Sequence, residues 1–175
     1  LQSQDLNLRG VRLVYQIPTR ALIGLRGLMM TATKGNAVMS SVTVGYQKMG
    51  SAIPQTRNGV LISFESGAAT AYSIENAQER GTVFIKPTQK VYAGQIVGLN
   101  LRKEDMEVNI CKEKKLTNVR SSSSDGAIQL TPPTILSLEE SLDFLEDDEL
   151  LEVTPQNLRL RKRFLLTNER KKNRK

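Results

Sequence analysis

Between Gly59 and Leu130 the apolar residues come only in short runs: GVLISF (59–64), TVFI (82–85), GQIVGLNL (94–101), MEVNI (106–110) and AIQL (127–130). Glycine, proline or charged residues set each run apart, which is the pattern of short strands joined by tight connections. TAYSIENAQERG (70–81) is the exception: it reads as a helix closed by Gly81. A β-rich domain is therefore expected from about residue 51.

The first fifty residues have another character. Val11, Leu13, Tyr15 and Ile17 alternate with Arg12, Val14 and Gln16 in the period of a strand. Pro18 ends it, and Thr19 is placed to cap a helix through Gly35, with Leu22, Leu25, Met29 and Ala32 on one face and Gly35 at a left-handed C′ position. NAVMSSVTVGY then predicts a returning strand, with Val38, Val42 and Val44 on one side. One β-α-β unit is too small to stand alone. The chain also opens without methionine, in a polar stretch leading into a strand, as expected of a piece of a longer protein.

The C-terminal forty residues divide by charge. LSLEESLDFLEDDELLEV carries eight carboxylates and no basic residue, with Ser137 and Glu140 spaced as a capping box and Leu138, Leu142 and Leu145 on one face. This predicts an acidic helix over 137–149. Beyond Pro155, Leu158 and Leu160 alternate with Arg159, Arg161 and Arg163, which predicts a strand with three arginines on one face. The remainder, LTNERKKNRK, is a short helix from Thr167 or a basic tail, closing a basic C-terminus over 159–175.

Most catalytic chemistries lack their residues. There is no histidine and one cysteine, which removes the commonest general base and metal ligand together with any internal disulfide. GLRGLMMTATKGN does not have the order of a phosphate-binding loop, and its glycines fall within the predicted helix. Cys111 lies beside Lys112, Lys114 and Lys115, but its place at the end of an apolar run marks it as structural. No metal site, catalytic residue or bound cofactor is expected in this chain. No apolar run approaches the roughly 20 residues that cross a bilayer, so a soluble, intracellular chain without membrane contact is expected.

Binding is better supported. A net charge of +7 favours an anionic partner. The segment KEKKLTNVRSSSSDGAIQLTPP (112–133) concentrates phosphate-seeking cations with neutral hydrogen-bonding side chains. Lys112, Lys114, Lys115, Thr117, Asn118, Arg120 and Ser121 are the candidates there, in a basic loop spanning 112–126. Arg159, Arg161, Lys162, Arg163, Arg170 and Lys171 form a second set. The arginine face either meets nucleic acid or pairs with the acidic helix, and the two readings weigh about equally. Arg20, Arg26 and Lys34 are additional candidates beside Gly24 and Gly27. With 5% aromatics and no tryptophan, structured RNA read through its phosphates suits the chain better than a stacking platform for single strands.

Seven ordered segments carry a resemblance: IPTRALIGLRG, QTRNGVLIS, AQERGTVFI, VYAGQIVG, CKEKKLTNVRSSSSD, DDELLEVTP and LRLRKRFL. Together they resemble the C-terminal portion of the TypA/BipA ribosome-binding translational GTPases. The resemblance implies an α+β chain. Residues 1–50 would be the second half of a ferredoxin-like unit equivalent to domain V of elongation factor G, and 51–175 the family's own C-terminal domain. It implies a GTPase domain upstream that holds GTP and magnesium, so this fragment would not be an enzyme. It also implies contact with large-subunit ribosomal RNA and the acceptor end of A-site tRNA, with KKLTNVRSSSSD reaching furthest. Stress adaptation and large-subunit assembly, a monomeric state, and the bacterial cytoplasm or the plastid stroma complete these expectations. Where this chain has SSSS, family members usually carry a more varied segment, so Arg120 transfers more securely than any one serine.

Overall fold

Val60–Ser63 is the strand on which the larger half of the molecule is built, because all four of its residues are buried. In the computed structural model, which describes residues 2–7, 10–50, 57–113 and 128–173, the chain forms two compact units, Leu1–Pro54 and Gln55–Lys175. The class is α+β, with four short α-helices and several small sheets among the described residues.

In the second unit, β3 (Val60–Ser63) lies between β7 (Ile96–Asn100), antiparallel, and β8 (Met106–Val108), parallel; β5 (Gly81–Val83) completes the order β5-β7-β3-β8. Burial of β3 on both sides gives two cores. Leu61 packs with Ile74 and Ala77 of α2 (Ala71–Gln78) and with Val83, Val97 and Ile110. Val60 and Ile62 pack on the other face with Ile96 and Leu160, flanked by Phe84, Phe144 and Leu151. Each such aliphatic side chain contributes about 1.5–3 kcal/mol on leaving water. The antiparallel hairpin of β9 (Glu149–Val153) and β10 (Leu158–Lys162) closes this second face through Leu160, and a Gln95–Arg161 bridge ties it to the sheet. A small ladder of β4 (Gly67–Ala68) and β6 (Lys90–Val91) stands beside them.

The helix expected to close at Gly81 ends earlier, at Gln78 with Glu79 as its C-cap, and Gly81 instead opens β5. Ile128–Leu130, expected as a strand, has none; Leu130 packs against the first core, and Ala127 lies outside the described residues. The acidic helix is shorter than its predicted span. α3 covers Leu138–Phe144, and Glu149 begins β9. A longer helix would have placed Glu146, Asp147, Asp148 and Glu149 at a C-terminus, where the helix dipole repels carboxylates. The predicted capping box is present: Ser137 Oγ accepts from the Glu140 N–H, and the Glu140 carboxylate accepts from the Ser137 N–H. These bonds hold the Glu140 pKa below its ordinary value. The predicted leucine face does not pack as one stripe, since Leu138 and Leu142 are exposed while Phe144 and Leu145 join the core.

In the first unit, β1 (Ser3–Asn7) and β2 (Gly10–Val14) form an antiparallel hairpin. The expected single helix is divided into a 3-10 turn, Thr19–Leu22, and α1, Leu25–Ala32. Ile23 is extended and Gly24 takes a left-handed φ of +72°, a conformation open to glycine at low cost, so the helix breaks there. Gly35, at φ +86°, occupies the left-handed position expected of it, and its N–H donates to Met30 O. Residues 36–46 form no strand, and Val38, Val42, Val44 and Tyr46 are exposed. A strand needs a partner for its ladder, and among the described residues of this unit β1 and β2 pair with each other.

Candidate nucleic-acid interface

The chain is fixed on both sides of the basic segment. After β8 the buried Ile110 anchors the chain, and Thr70 and Ser73 at the start of α2 each donate a hydroxyl hydrogen bond of 2.6 Å to Lys112 O. Thr70 also caps α2 by accepting from the Ser73 N–H at 3.2 Å, so one residue serves helix and loop together. The return is held at the other end of the same helix. Gln78 donates to Thr131 O at 2.6 Å and accepts from Thr131 N–H at 3.0 Å. With a rise of 1.5 Å per residue, the eight positions from Thr70 to Gln78 set the two anchor points about 12 Å apart along the helix. Lys112 is exposed just outside the first anchor. Lys114, Lys115, Thr117, Asn118, Arg120 and Ser121 lie outside the described residues.

The second set of cations separates into committed and uncommitted charges. Lys162 is 1% exposed, and its Nζ meets Asp105 at 2.7 Å, Glu149 at 2.9 Å and Asp148 at 3.0 Å. Expected among the RNA contacts, it is instead a buried structural ion: on β10 it shares the inward face with Leu160, and no phosphate reaches it there. Burial alone would lower its pKa, but the hydrogen bonds it donates to the carboxylates and their charge raise it. Arg57 extends the cluster to Glu146, at 3.3 Å, and Glu149, while its guanidinium lies 4.3 Å from the Phe144 ring centroid. Burial raises the Glu146 pKa against the pull of Arg57.

Arg161 Nε pairs with Glu152 at 2.8 Å, and the other oxygen of Glu152 accepts from Tyr92 OH at 2.7 Å. Arg159 stands opposite Glu152 in the ladder but makes no ion pair among the described residues. Arg163 is exposed, 6.0 Å from the Phe164 ring centroid. α4 (Thr167–Asn173) is tethered by Arg170, which donates to Glu107 and to the carbonyls of Phe164 and Leu165; Lys171 and Lys172 are exposed. The acidic run is thus paired mainly through its strand and turn, Asp148 to Glu152, rather than through the predicted helix. In the first unit, Arg20 donates to Gly50 O at 3.2 Å, Arg26 is exposed beside Met29 and Met30, and Lys34 is exposed at φ +52°.

Burial would raise the Glu107 carboxyl, but hydrogen bonds from Thr167 and Arg170 and the charges of Arg170 and Lys171 outweigh it and hold its pKa below the ordinary value. A lowered carboxyl pKa stabilises the fold above the unfolded pKa of about 4.3 and loses that contribution as pH falls through the folded value. Hydrogen exchange at residues 166–170 is therefore expected to accelerate in acid before β3 opens, and Glu107→Gln should bring the faster exchange to neutral pH. Equal rates in the two proteins at pH 7 would remove Glu107 as the tether. Cys111 behaves as the structural residue expected: it is half-buried, and burial raises its thiol pKa.

Residues 58–167 match the TypA/BipA C-terminal domain family. The chain belongs to that family. Across 163 residues, 93% of the chain, it is 47% identical to the large ribosomal subunit assembly factor BipA of Haemophilus influenzae. Over the same share it is 49% identical to the BipA of Buchnera aphidicola subsp. Schizaphis graminum and 40% to that of Synechocystis sp.. It spans 26–27% of the length of these relatives. No phosphate-loop sequence occurs, and the carboxylates of Glu146, Asp148 and Glu149, which lie within 4.8 Å of one another, are engaged by Lys162 and Arg57. Sequence reasoning missed Arg57 and the α2 anchors. The same two-residue period that placed Leu160 inside also places Lys162 there.

Proposed function

We propose that this chain is the ribosome-contacting C-terminal part of a TypA/BipA translational GTPase that acts in assembly of the large ribosomal subunit, the role printed in the names of its relatives. In this reading it meets large-subunit RNA and the acceptor end of A-site tRNA, as a monomer in the cytoplasm. GTP and magnesium belong to an upstream domain, and the fragment itself turns nothing over. The supporting observation is the disposition of charge: Asp105, Glu107, Asp148, Glu149 and Glu152 are occupied by internal ion pairs, while Lys112, Arg163, Lys171 and Lys172 stay exposed. The α2 anchors hold the chain at Lys112 and Thr131, on either side of the remaining candidates.

Reversing Lys114, Lys115 and Arg120 to glutamate is expected to weaken binding to purified large subunits and to flatten its dependence on log salt by about 0.7–0.9 per lost phosphate contact. Binding and salt slope that both stay unchanged would reject the loop assignment. A second reading has α3 docking a basic protein, and the exposed Leu138 and Leu142 beside Glu139 and Asp143 favour it. Crosslinks to ribosomal proteins alone, with no RNA footprint, would select that reading.

A further inference from the structure

A groove of about 410 Å³ runs between the chain after β5, residues 135–136 and the β9–β10 hairpin. Its walls are apolar where Phe84, Leu136 and Leu158 line it, and Ile135 beside them is 69% exposed. Its charged lining residues are Lys86 and Arg159, with no carboxylate among the lining residues described. Gln89, Gln156 and Asn157 add amides. Gln89 Oε1 accepts from the Lys86 N–H at 3.0 Å, which fixes the direction of that amide.

Arg159 gives the groove its polarity. Its cross-strand neighbour Glu152 is taken by Arg161 and Tyr92, and Arg159 Nε is shielded from solvent without a hydrogen-bond acceptor among the described residues. An unpaired guanidinium N–H beside an acid-free groove suits an anion that arrives with the ligand.

We propose that this groove holds one unpaired nucleotide of RNA, with its phosphate on Arg159 and Lys86, its base against Ile135 and Leu158, and its base edge on the amides. The inference rests on the RNA reading above and adds a second contact to it. The volume is that of a small-ligand site and takes one nucleotide rather than a strand. Phe84 is already packed edge-to-face on Phe144 at 5.5 Å, so the base lies on aliphatic walls. Base edges carry the paired donors and acceptors that amides match, and an unpaired residue of a structured RNA exposes them. A polyacidic peptide would satisfy Arg159 and offer backbone groups to the amides, but it brings no flat apolar face to Ile135 and Leu158.

The test is NMR titration of this chain with a six-nucleotide single-stranded RNA of mixed sequence; inorganic phosphate and hexaglutamate are separate arms. RNA is expected to shift Ile135, Asn157 and Leu158, and Arg159→Gln to weaken that response at least tenfold. Ile135→Glu, at an exposed side chain, should do the same without altering the hairpin. Hexaglutamate or phosphate shifting these residues as strongly as RNA would overturn the proposal, as would RNA that leaves them unmoved. The Lys114, Lys115 and Arg120 reversal separates the two readings: if it abolishes large-subunit binding while the groove is silent, the groove inference fails and the RNA reading stands. If neither responds, both fail.

Discussion

Replacing Lys162 by methionine is expected to destabilise the second unit by about 3–5 kcal/mol, because it removes the cation and leaves its carboxylates behind. The side chain of Glu149 is fully buried, and Arg57 alone would then face it and Glu146. Asp105 and Asp148 are partly solvated at 28% and 58% exposure, so they suffer less, and the cost centres on Glu149. The double change Lys162→Met with Glu149→Gln should recover part of the loss, since both members of the buried pair are then neutral. The pH dependence has a definite sign. Lys162 has its pKa raised, so its contribution is complete below the unfolded value of about 10.4 and is lost only as pH climbs through the higher folded value. Urea unfolding at pH 7 reads the effect directly. An unchanged midpoint in the methionine variant would mean that the cluster stores no stability, and a double variant as weak as the single would deny the pairing with Glu149.

What the sequence made legible followed from local rules. The capping box at Ser137 and Glu140, the helix that Thr70 caps and the alternation along 158–162 each depend on residues a few positions apart. They formed because the tertiary setting did not oppose them. The failures share a different cause. Val38, Val42 and Val44 have the strand pattern, but a ladder depends on a partner that local sequence does not contain. Leu138, Leu142 and Leu145 have the spacing of one buried face, but α3 ends at Phe144, before the stripe is complete. The RNA candidates on β10 stand out by charge, and charge does not say which cations are neutralised. Asp105 and Lys162 come from distant strand ends, so their pairing was invisible along the chain. The groove was hidden for the same reason, since Lys86, Ile135 and Arg159 converge only after folding.

Gly94→Ala should be as damaging as the loss of Lys162, and it reaches the candidate interface by another route. Gly94 has φ +85°, where an L side chain is strained by about 1–3 kcal/mol. A Cβ there would also lie 2.6 Å from Leu165 Cα and 2.8 Å from Leu165 O, backbone atoms that cannot rotate away. Overpacking of this kind costs about 1–3 kcal/mol more, giving about 2–6 kcal/mol together. Gly35, at φ +86°, has nothing within 4 Å of its added Cβ, so Gly35→Ala carries the strain without the clash and serves as the control. The position matters because Gly94 N–H donates to Ser63 O and Gly94 O accepts from Lys162 N–H, joining β3 to the end of β10. Moving Leu165 away would also disturb the carbonyls of Phe164 and Leu165 that receive Arg170, and thereby free α4 with Lys171 and Lys172. Hydrogen exchange over residues 164–170 should therefore rise in Gly94→Ala under conditions where β3 is still protected. A variant with wild-type melting temperature and unchanged exchange there would show that the C-terminal segment yields to the methyl group, and the steric coupling between this turn and the basic helix would be wrong.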